Sequence, residues 1–459
     1  MFNKQNILKN LKQFLLWYAI AIVILMVFII IITNDFQDSK KFETFIRIIE
    51  IFLKNKLTYF VLTIPYLLVI FIKSFIRDYK KQRAIGLLKG IGIKILLPAL
   101  IISGSFQTIN TYRQSEDFNY LWDYSIENKT ASIRDLHAID NKQRGFHIFG
   151  WTDYSKAFNT LKTNNVEWIT FVPFLSQSNY NKPSLNPGFR KRDTLKRQER
   201  WRNAIKKADS FKFKTMLKPH IWLTNTDNGV WRSDINMPNQ DDWDLWFKNY
   251  SNQILDYAAL AESLKMPLFC IGTELYKTVV EQPEKWLQLI ADIREIYSGK
   301  LIYAANWNQE VFDVPFWDAL DFIGIQAYYP IAENENPELE ELENGWKKHI
   351  SSLTKLQKTH NKPIVFTELG YKSTTDAGIK PWEWNSMQNR FHKKISKRTQ
   401  ALCYQAFFNT VWKESWLKGV HFWEWQSRIT ETDGNNNDFV VQGKPALNII
   451  AKEFRKVID

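Results

Sequence analysis

Cysteine is almost missing from this chain: Cys270 and Cys403 are the two among 459 residues, and both lie in apolar runs. That excludes a disulfide-stapled scaffold and reads as two small buried hydrophobes. The seven histidines, at positions 137, 147, 220, 349, 360, 392 and 421, show no His-x-x-x-His or similar spacing with carboxylates, so no metal centre is expected. A Gly-rich phosphate loop, a dinucleotide fingerprint and Gly-x-Ser-x-Gly are lacking too, which excludes nucleotide-driven chemistry and the α/β serine hydrolases. No cofactor is expected. Nor does a short repeat of the solenoid kind run through the chain.

Acidic residues are scarce at one end only. Lys plus Arg number 61 against 48 Asp plus Glu, a formal net charge of +13, yet residues 1–104 hold 15 of the basic residues and 5 of the acidic ones. The rest of the chain is close to neutral, so nucleic acid is not an expected partner. With 45% hydrophobic residues the chain is too apolar to be a disordered tail and long enough for at least one full-sized domain.

Charge is absent altogether from Phe14 to Ile32, nineteen residues against the roughly 20 that a helix needs to cross the hydrocarbon core. A cleaved signal peptide would have a shorter apolar core ending in small residues, whereas this one ends in Ile-Ile-Thr-Asn-Asp, so it reads as a retained transmembrane helix. Leu57–Ile72, which contains Pro65, is a second span, and Ile91–Ser103, interrupted by Lys94, is a shorter third. Lys4, Lys9 and Lys12 precede the first span and a basic cluster from Lys73 to Lys89 follows the second, so both belong on the cytoplasmic side. With two spans the remainder stays in the cytoplasm; with three it faces outward. Three are favoured, with Lys94 snorkelling to the inner interface. The expected organisation is a membrane segment over 1–104 in contact with the lipid bilayer, a linker and lead-in helix over 105–144, and a folded domain over 145–459.

From about residue 145 short β-branched and aromatic runs alternate with longer amphipathic stretches, the βα signature of a parallel sheet. Strands are predicted at Gly145–Gly150, Trp168–Phe174, Lys214–Trp222, Pro267–Thr273, Leu301–Trp307, Phe322–Tyr328, Pro363–Thr367 and Gly419–Trp425. Eight such units predict an α/β fold, the (β/α)8 TIM barrel; a doubly wound open sheet is the alternative, weakened by the missing phosphate loop. In a barrel, chemistry sits where strands end at the carboxyl side. Two glutamates occupy that place, Glu274 after Leu268-Phe-Cys-Ile-Gly-Thr and Glu368 in Ile364-Val-Phe-Thr-Glu-Leu-Gly-Tyr371. A facing pair of carboxylates is what glycoside hydrolysis requires: one gives a proton to the departing oxygen, the other attacks the anomeric carbon, and a separation of about 5 Å selects retention.

The Gly-Thr-Glu of strand four, the Thr-Glu-Leu-Gly-Tyr of strand seven and the Trp-Glu-Trp of strand eight resemble the retaining glycoside hydrolases of clan A, and most of all family 113. That resemblance covers about residues 140–455 and implies a β-mannanase-like activity with Glu274 as acid/base and Glu368 as nucleophile. Many clan members carry Asn before the strand-four glutamate. Here Thr273 stands there, so contact with the substrate 2-hydroxyl has to come from another donor.

Further residues at the predicted mouth have two readings each. Tyr328 either fills the core or hydrogen-bonds Glu368, as a tyrosine does in many clan members. His220, with Trp222 and Asn225 just beyond, is either a structural histidine or a donor to sugar hydroxyls. Trp307, Trp423 and Trp425 either fill seams or stack on pyranose faces. Glu424 binds a hydroxyl or forms a strand-end ion pair, and His147 and Trp151 at the end of strand one share the ambiguity. The expected activity is that of a membrane-anchored retaining glycosidase acting on β-linked mannan or mannooligosaccharides from the outer face. The alternatives are hydrolysis of another β-glycan or envelope polysaccharide, and a non-catalytic carbohydrate-binding envelope protein.

Overall fold

A computed structural model describes residues 12–18, 20, 56–113, 135–150, 154–187, 194–226, 229–384, 394–428 and 437–458. The chain divides into two compact units, Met1–Asn110 and Thr111–Asp459.

In the first unit, most of the predicted span Phe14–Ile32 lies outside the described residues, of which 12–18 are helical. The second and third predicted spans are joined. Helix α1 (Lys56–Ile91) leaves helical angles at Gln82 and Arg83, a five-residue π-helical stretch follows at Gly92–Leu96, and α2 (Leu97–Arg113) completes the segment. The chain turns back at Gln82–Arg83, because Lys94 reaches Asp78 as an ion pair and donates to Ser74 Oγ at 2.6 Å. Lys94 is thus paired within the unit. A carboxylate on the preceding arm satisfies the ammonium where apolar surroundings would make a lone charge costly. Among the described residues Tyr66–Thr108 is the helical stretch long and apolar enough, by length and composition, to cross a membrane.

The second unit is a closed parallel barrel of eight strands: β1 (Gln143–Phe149), β2 (Trp168–Phe171), β3 (Lys214–Leu217), β4 (Leu268–Thr273), β5 (Lys300–Asn306), β6 (Phe322–Gln326), β7 (Ile364–Leu369) and β8 (Leu417–Gln426), with β8 pairing back onto β1. These strands are covered on both faces, which is why they read as nearly continuous apolar runs instead of alternating ones. The helices that return the chain are α3 (Ser155–Thr163), α4 (Thr194–Ser210), α5 (Gln240–Ser263), α6 (Pro283–Ile296), α7 (Leu339–His360), α8 (Lys397–Asn409) and α9 (Pro445–Phe454). After β5 only short turns at Glu310–Asp313 and Trp317–Ala319 stand in for a helix.

Two predicted strands are shorter than the sequence suggests. The runs Trp168–Phe174 and Lys214–Trp222 break at Pro173 and Pro219, whose missing amide hydrogens end the ladder. Beyond each proline the chain resumes as a separate three-stranded sheet of Phe174–Gln177, Leu185–Pro187 and His220–Leu223. His220 and Trp222 thus leave the barrel wall and join this sheet at its rim.

Most tryptophans fill seams. Trp246, Trp286, Trp317, Trp346 and Trp412 are among the largest fully buried side chains. Strand packing also leaves no room at Gly324 of β6, where a Cβ would stand 2.2 Å from the Tyr303 carbonyl oxygen of the neighbouring strand. Backbone cannot yield as a side chain can. Gly324→Ala is expected to cost about 2–3 kcal/mol, read as a lower denaturant midpoint of the full chain in detergent.

Candidate active site

The barrel interior changes character along its axis. Trp168, Met216, Leu268, Cys270, Ile302, Ala304 and Val365 form an apolar cluster at the level where the strands begin. Above it Thr170 Oγ1 meets His421 Nδ1 at 2.7 Å, and His421 Nε2 meets Gln143 Oε1 at 2.8 Å. The next level holds charge.

Glu368, on β7, is 4% exposed and has both carboxylate oxygens occupied. Tyr328 Oη donates to Oε2 at 2.8 Å, and the Lys218 ammonium pairs with Oε1. Lys218 follows the last residue of β3 and is completely buried. Burial, then the Glu368 charge, pushes the Tyr328 phenol well above its ordinary pKa, so it stays a donor. His220 Nδ1 lies 2.9 Å from an Arg232 guanidinium nitrogen, which can only donate; Nδ1 is therefore the acceptor and Nε2 carries the hydrogen. That Nε2 is 3.0 Å from Lys218 Nζ and 3.5 Å from Glu368 Oε1, the oxygen that accepts from Lys218. Burial, then Lys218 and Arg232, holds His220 well below its ordinary pKa and hence neutral. His147 faces the backbone carbonyl of Phe422 with Nδ1 at 3.3 Å, leaving Nε2 as an acceptor with no partner among the described residues, 3.9 Å from Glu368 Oε1. Burial, then Lys218, keeps it neutral as well.

Glu274 follows β4 with φ +53, the left-handed region that costs a non-glycine residue about 1–2 kcal/mol. Its amide is held by the Ala304 carbonyl of β5 at 2.9 Å, and the pairing of β4 with β5 slips between Cys270 and Thr273. The residue is 8% exposed. Trp231 Nε1 donates to Oε2 at 2.9 Å, and Arg232, lying over the Trp231 ring at 4.4 Å, approaches the same oxygen at 3.8 Å. Behind Glu274 a relay runs through the wall. The Leu275 amide donates to Tyr303 Oη at 2.8 Å, and Tyr303 donates to Glu310 Oε1 at 2.6 Å. Burial raises Glu310 to about 8. Thr273 turns its hydroxyl to the Pro219 carbonyl at 3.2 Å.

Two buried carboxylates at the ends of β4 and β7, each aimed by dedicated donors, form the centre of this barrel. Residues 147–444, more than half of the chain, match Glycoside Hydrolase Family 113. The chain belongs to that family. It is a glycoside hydrolase on a (β/α)8 barrel. Among solved structures, the family 113 β-mannanase of Alicyclobacillus acidocaldarius in complex with ManMIm is 25% identical with a TM-score of 0.59, over 68% of this chain and 97% of that one. A family 113 β-1,4-mannanase solved as a complex is 28% identical with a TM-score of 0.59, over 69% and 99%. No curated protein matches the chain.

The remaining residues singled out in this family 113 chain separate into two groups. Trp423 stacks parallel to His220 at 6.2 Å between centroids and clusters with Tyr328 and Phe439; its Nε1 has no partner among the described residues. Glu424 accepts from Gln426 at 2.6 Å, and burial raises it to about 7. Both border the Glu368 site. Trp307 is half-buried against Tyr329 and packs with the same cluster. Trp222 is 42% exposed, edge-on to Trp231 at 6.4 Å, while Asn225, also exposed, donates to Asn179 Oδ1 at 2.9 Å in the loop beyond. Trp425 lies elsewhere: β8 slips against β1 between Phe146 and Ile148, and Trp425 packs on Phe146 in the layer between barrel and helices. It is unavailable for stacking on a sugar. Trp151 falls outside the described residues.

Lys218, Trp231, Arg232 and Glu310 escape the sequence reading. Lys218 left one usable trace, a lone cation at the tip of the apolar run Met216-Leu217 before Pro219.

Removing one partner of a buried ion pair costs about 3–5 kcal/mol, whereas replacing both with apolar groups costs far less. Lys218→Met is therefore expected to lower unfolding stability by about that much, and Lys218→Met with Glu368→Met to recover most of it, as thermal midpoints would show. Glu310 sets a pH slope. Its folded pKa of about 8 exceeds the ordinary 4.5, so the folded protein keeps a proton the unfolded chain releases. Its stabilisation is full below pH 4.5 and declines up to about pH 8. Glu310→Gln is expected to flatten the fall in unfolding stability across that window.

Proposed function

We propose that this chain is a membrane-anchored retaining glycosidase that cuts β-linked mannan or mannooligosaccharides, with Glu368 as nucleophile and Glu274 as acid/base. The observation that carries this reading is the unequal clothing of the two carboxylates. Both oxygens of Glu368 accept hydrogen bonds, from Lys218 and Tyr328, as those of a carboxylate do. Glu274 Oε2 accepts from Trp231, while Oε1 has no hydrogen bond among the described residues and is free to carry a proton.

The steps follow from those settings. Glu368 attacks the anomeric carbon as Glu274 gives its proton to the departing oxygen, forming a glycosyl-enzyme. Glu274, now a carboxylate, takes a proton from water; that water attacks the same carbon, and Glu368 leaves with configuration retained. The neutral His147 offers an acceptor, and the Trp423 indole a donor, to hydroxyls of the sugar between the glutamates. Thr273 cannot supply the 2-hydroxyl contact while its own hydroxyl is turned to Pro219, so Lys218 and His220, beside the same carboxylate oxygen, are the nearest donors. The choice of mannan rests on the similarity to the two β-mannanases.

Anchoring is supported by the apolar stretch Tyr66–Thr108; with three spans, the basic clusters before the first and after the second both lie on the cytoplasmic side, which supports an outward-facing barrel. A reporter fused after residue 110 is expected to signal outside the membrane only; a cytoplasmic signal would overturn the orientation.

The test of the activity is product mapping by the full chain in detergent on β-mannan, glucan and xylan oligosaccharides. Mannooligosaccharides should be cut with retention, and Glu368→Ala and Glu274→Ala should each lower kcat by about 1,000-fold or more. Binding of a glycan without cleavage of any would make the barrel a binding module instead.

A further inference from the structure

Most of the barrel's tryptophans are buried, which makes the exposed ones informative. Trp382 and Trp384 are 42% and 55% exposed, on the chain that follows β7. Neither hangs free. Trp382 packs on Trp307, beyond β5, with centroids 5.3 Å apart, and Trp384 packs edge-on against Phe439 at 5.2 Å and Trp423 at 6.1 Å. Between them the buried Lys372 ammonium donates to the Glu383 carbonyl at 2.6 Å, fixing the backbone that carries both rings. Two large indoles are thus held in place and only partly covered. Through Trp423 they are continuous with the site, since that ring stacks on His220, which faces Glu368.

A half-covered indole held in place is poor at closing a core and well suited to a flat apolar partner with polar edges. The C–H face of a pyranose ring is such a partner, and the site next door is built for the same class of molecule. The lack of any ionisable group on either ring argues against acid or base work in the reaction itself.

We propose that Trp382 and Trp384, backed by Trp307, form a sugar-stacking platform beside the Glu274–Glu368 pair, which binds a pyranose unit of the substrate chain remote from the bond being cut. The occupant is a further residue of the same β-linked oligosaccharide. This rests on the glycosidase reading above. The platform makes cleavage depend on chain length: a substrate too short to reach it forgoes the contact, and a longer one gains it.

The experiment measures kcat/KM of the full chain in detergent over a ladder of β-mannooligosaccharides from two to six units, for wild type, Trp382→Ala, Trp384→Ala and Trp384→Phe. Leu245→Ala, exposed on the outer helix α5, serves as a control. Wild type should gain steeply at one rung of the ladder. Each alanine variant should lose about tenfold of that gain, mainly as a higher KM, the size of one stacking contact of about 1.4 kcal/mol. Trp384→Phe should recover part of it, as a planar ring would and a mere loop anchor would not. If the alanine variants keep the wild-type ladder, the platform is wrong while the glycosidase reading stands. If wild type cuts no member of the ladder, that reading has failed, and binding of mannohexaose to Glu368→Gln, measured calorimetrically with and without Trp384→Ala, decides the platform by itself: an unchanged affinity overturns it.

Discussion

A buried ammonium against a buried carboxylate, Lys218 on Glu368, organises this barrel's mouth. Taken out of water separately, either charge would cost several kcal/mol; together, with Tyr328 as a further donor, they are tolerated and directional. Everything around them is arranged to that end. The imidazoles of His147 and His220 are neutral because burial, and then the cation beside them, disfavour a further positive charge. Arg232 then ties the two carboxylates into one network, touching His220 on one side and approaching Glu274 on the other.

Glu274 is held differently. Its left-handed backbone and the slipped pairing of β4 with β5 turn the side chain out of the strand plane and toward Trp231. Such strain persists only where the surroundings over-determine it, and here the Ala304 carbonyl and the Leu275–Tyr303–Glu310 relay do so. Asymmetry between the two glutamates follows from packing. One is held by an ammonium and a phenol hydroxyl, the other by an indole, with Arg232 near the same oxygen.

The legibility of this arrangement in the sequence is uneven for physical reasons. Glu274 and Glu368 stand out because a charge directly after an apolar strand has few structural uses. Lys218 is the same kind of signal, but Pro219 hides it by making the run Lys214–Trp222 look like one strand through a break. Arg232 and Trp231 sit in a short turn whose placement depends on contacts with β4, far away in sequence. Trp423 and Trp425 are two apart on one strand and look equivalent; a slip in strand pairing sends one to the site and the other to the helix layer.

Local chemistry alone determined the apolar front end, the eight βα units, the strand-end position of the glutamates and the lack of ligand spacing for a metal, since each depends on periodicity or on neighbours within a few residues. Only the tertiary structure decided that Lys94 is paired with Asp78, that the small sheet lifts His220 and Trp222 to the rim, and that Lys218, Arg232 and two histidines converge on the carboxylates. Those facts come from contacts between residues tens to hundreds of positions apart. Closure of the barrel brings them together, and no local pattern encodes which side chains will meet when it closes.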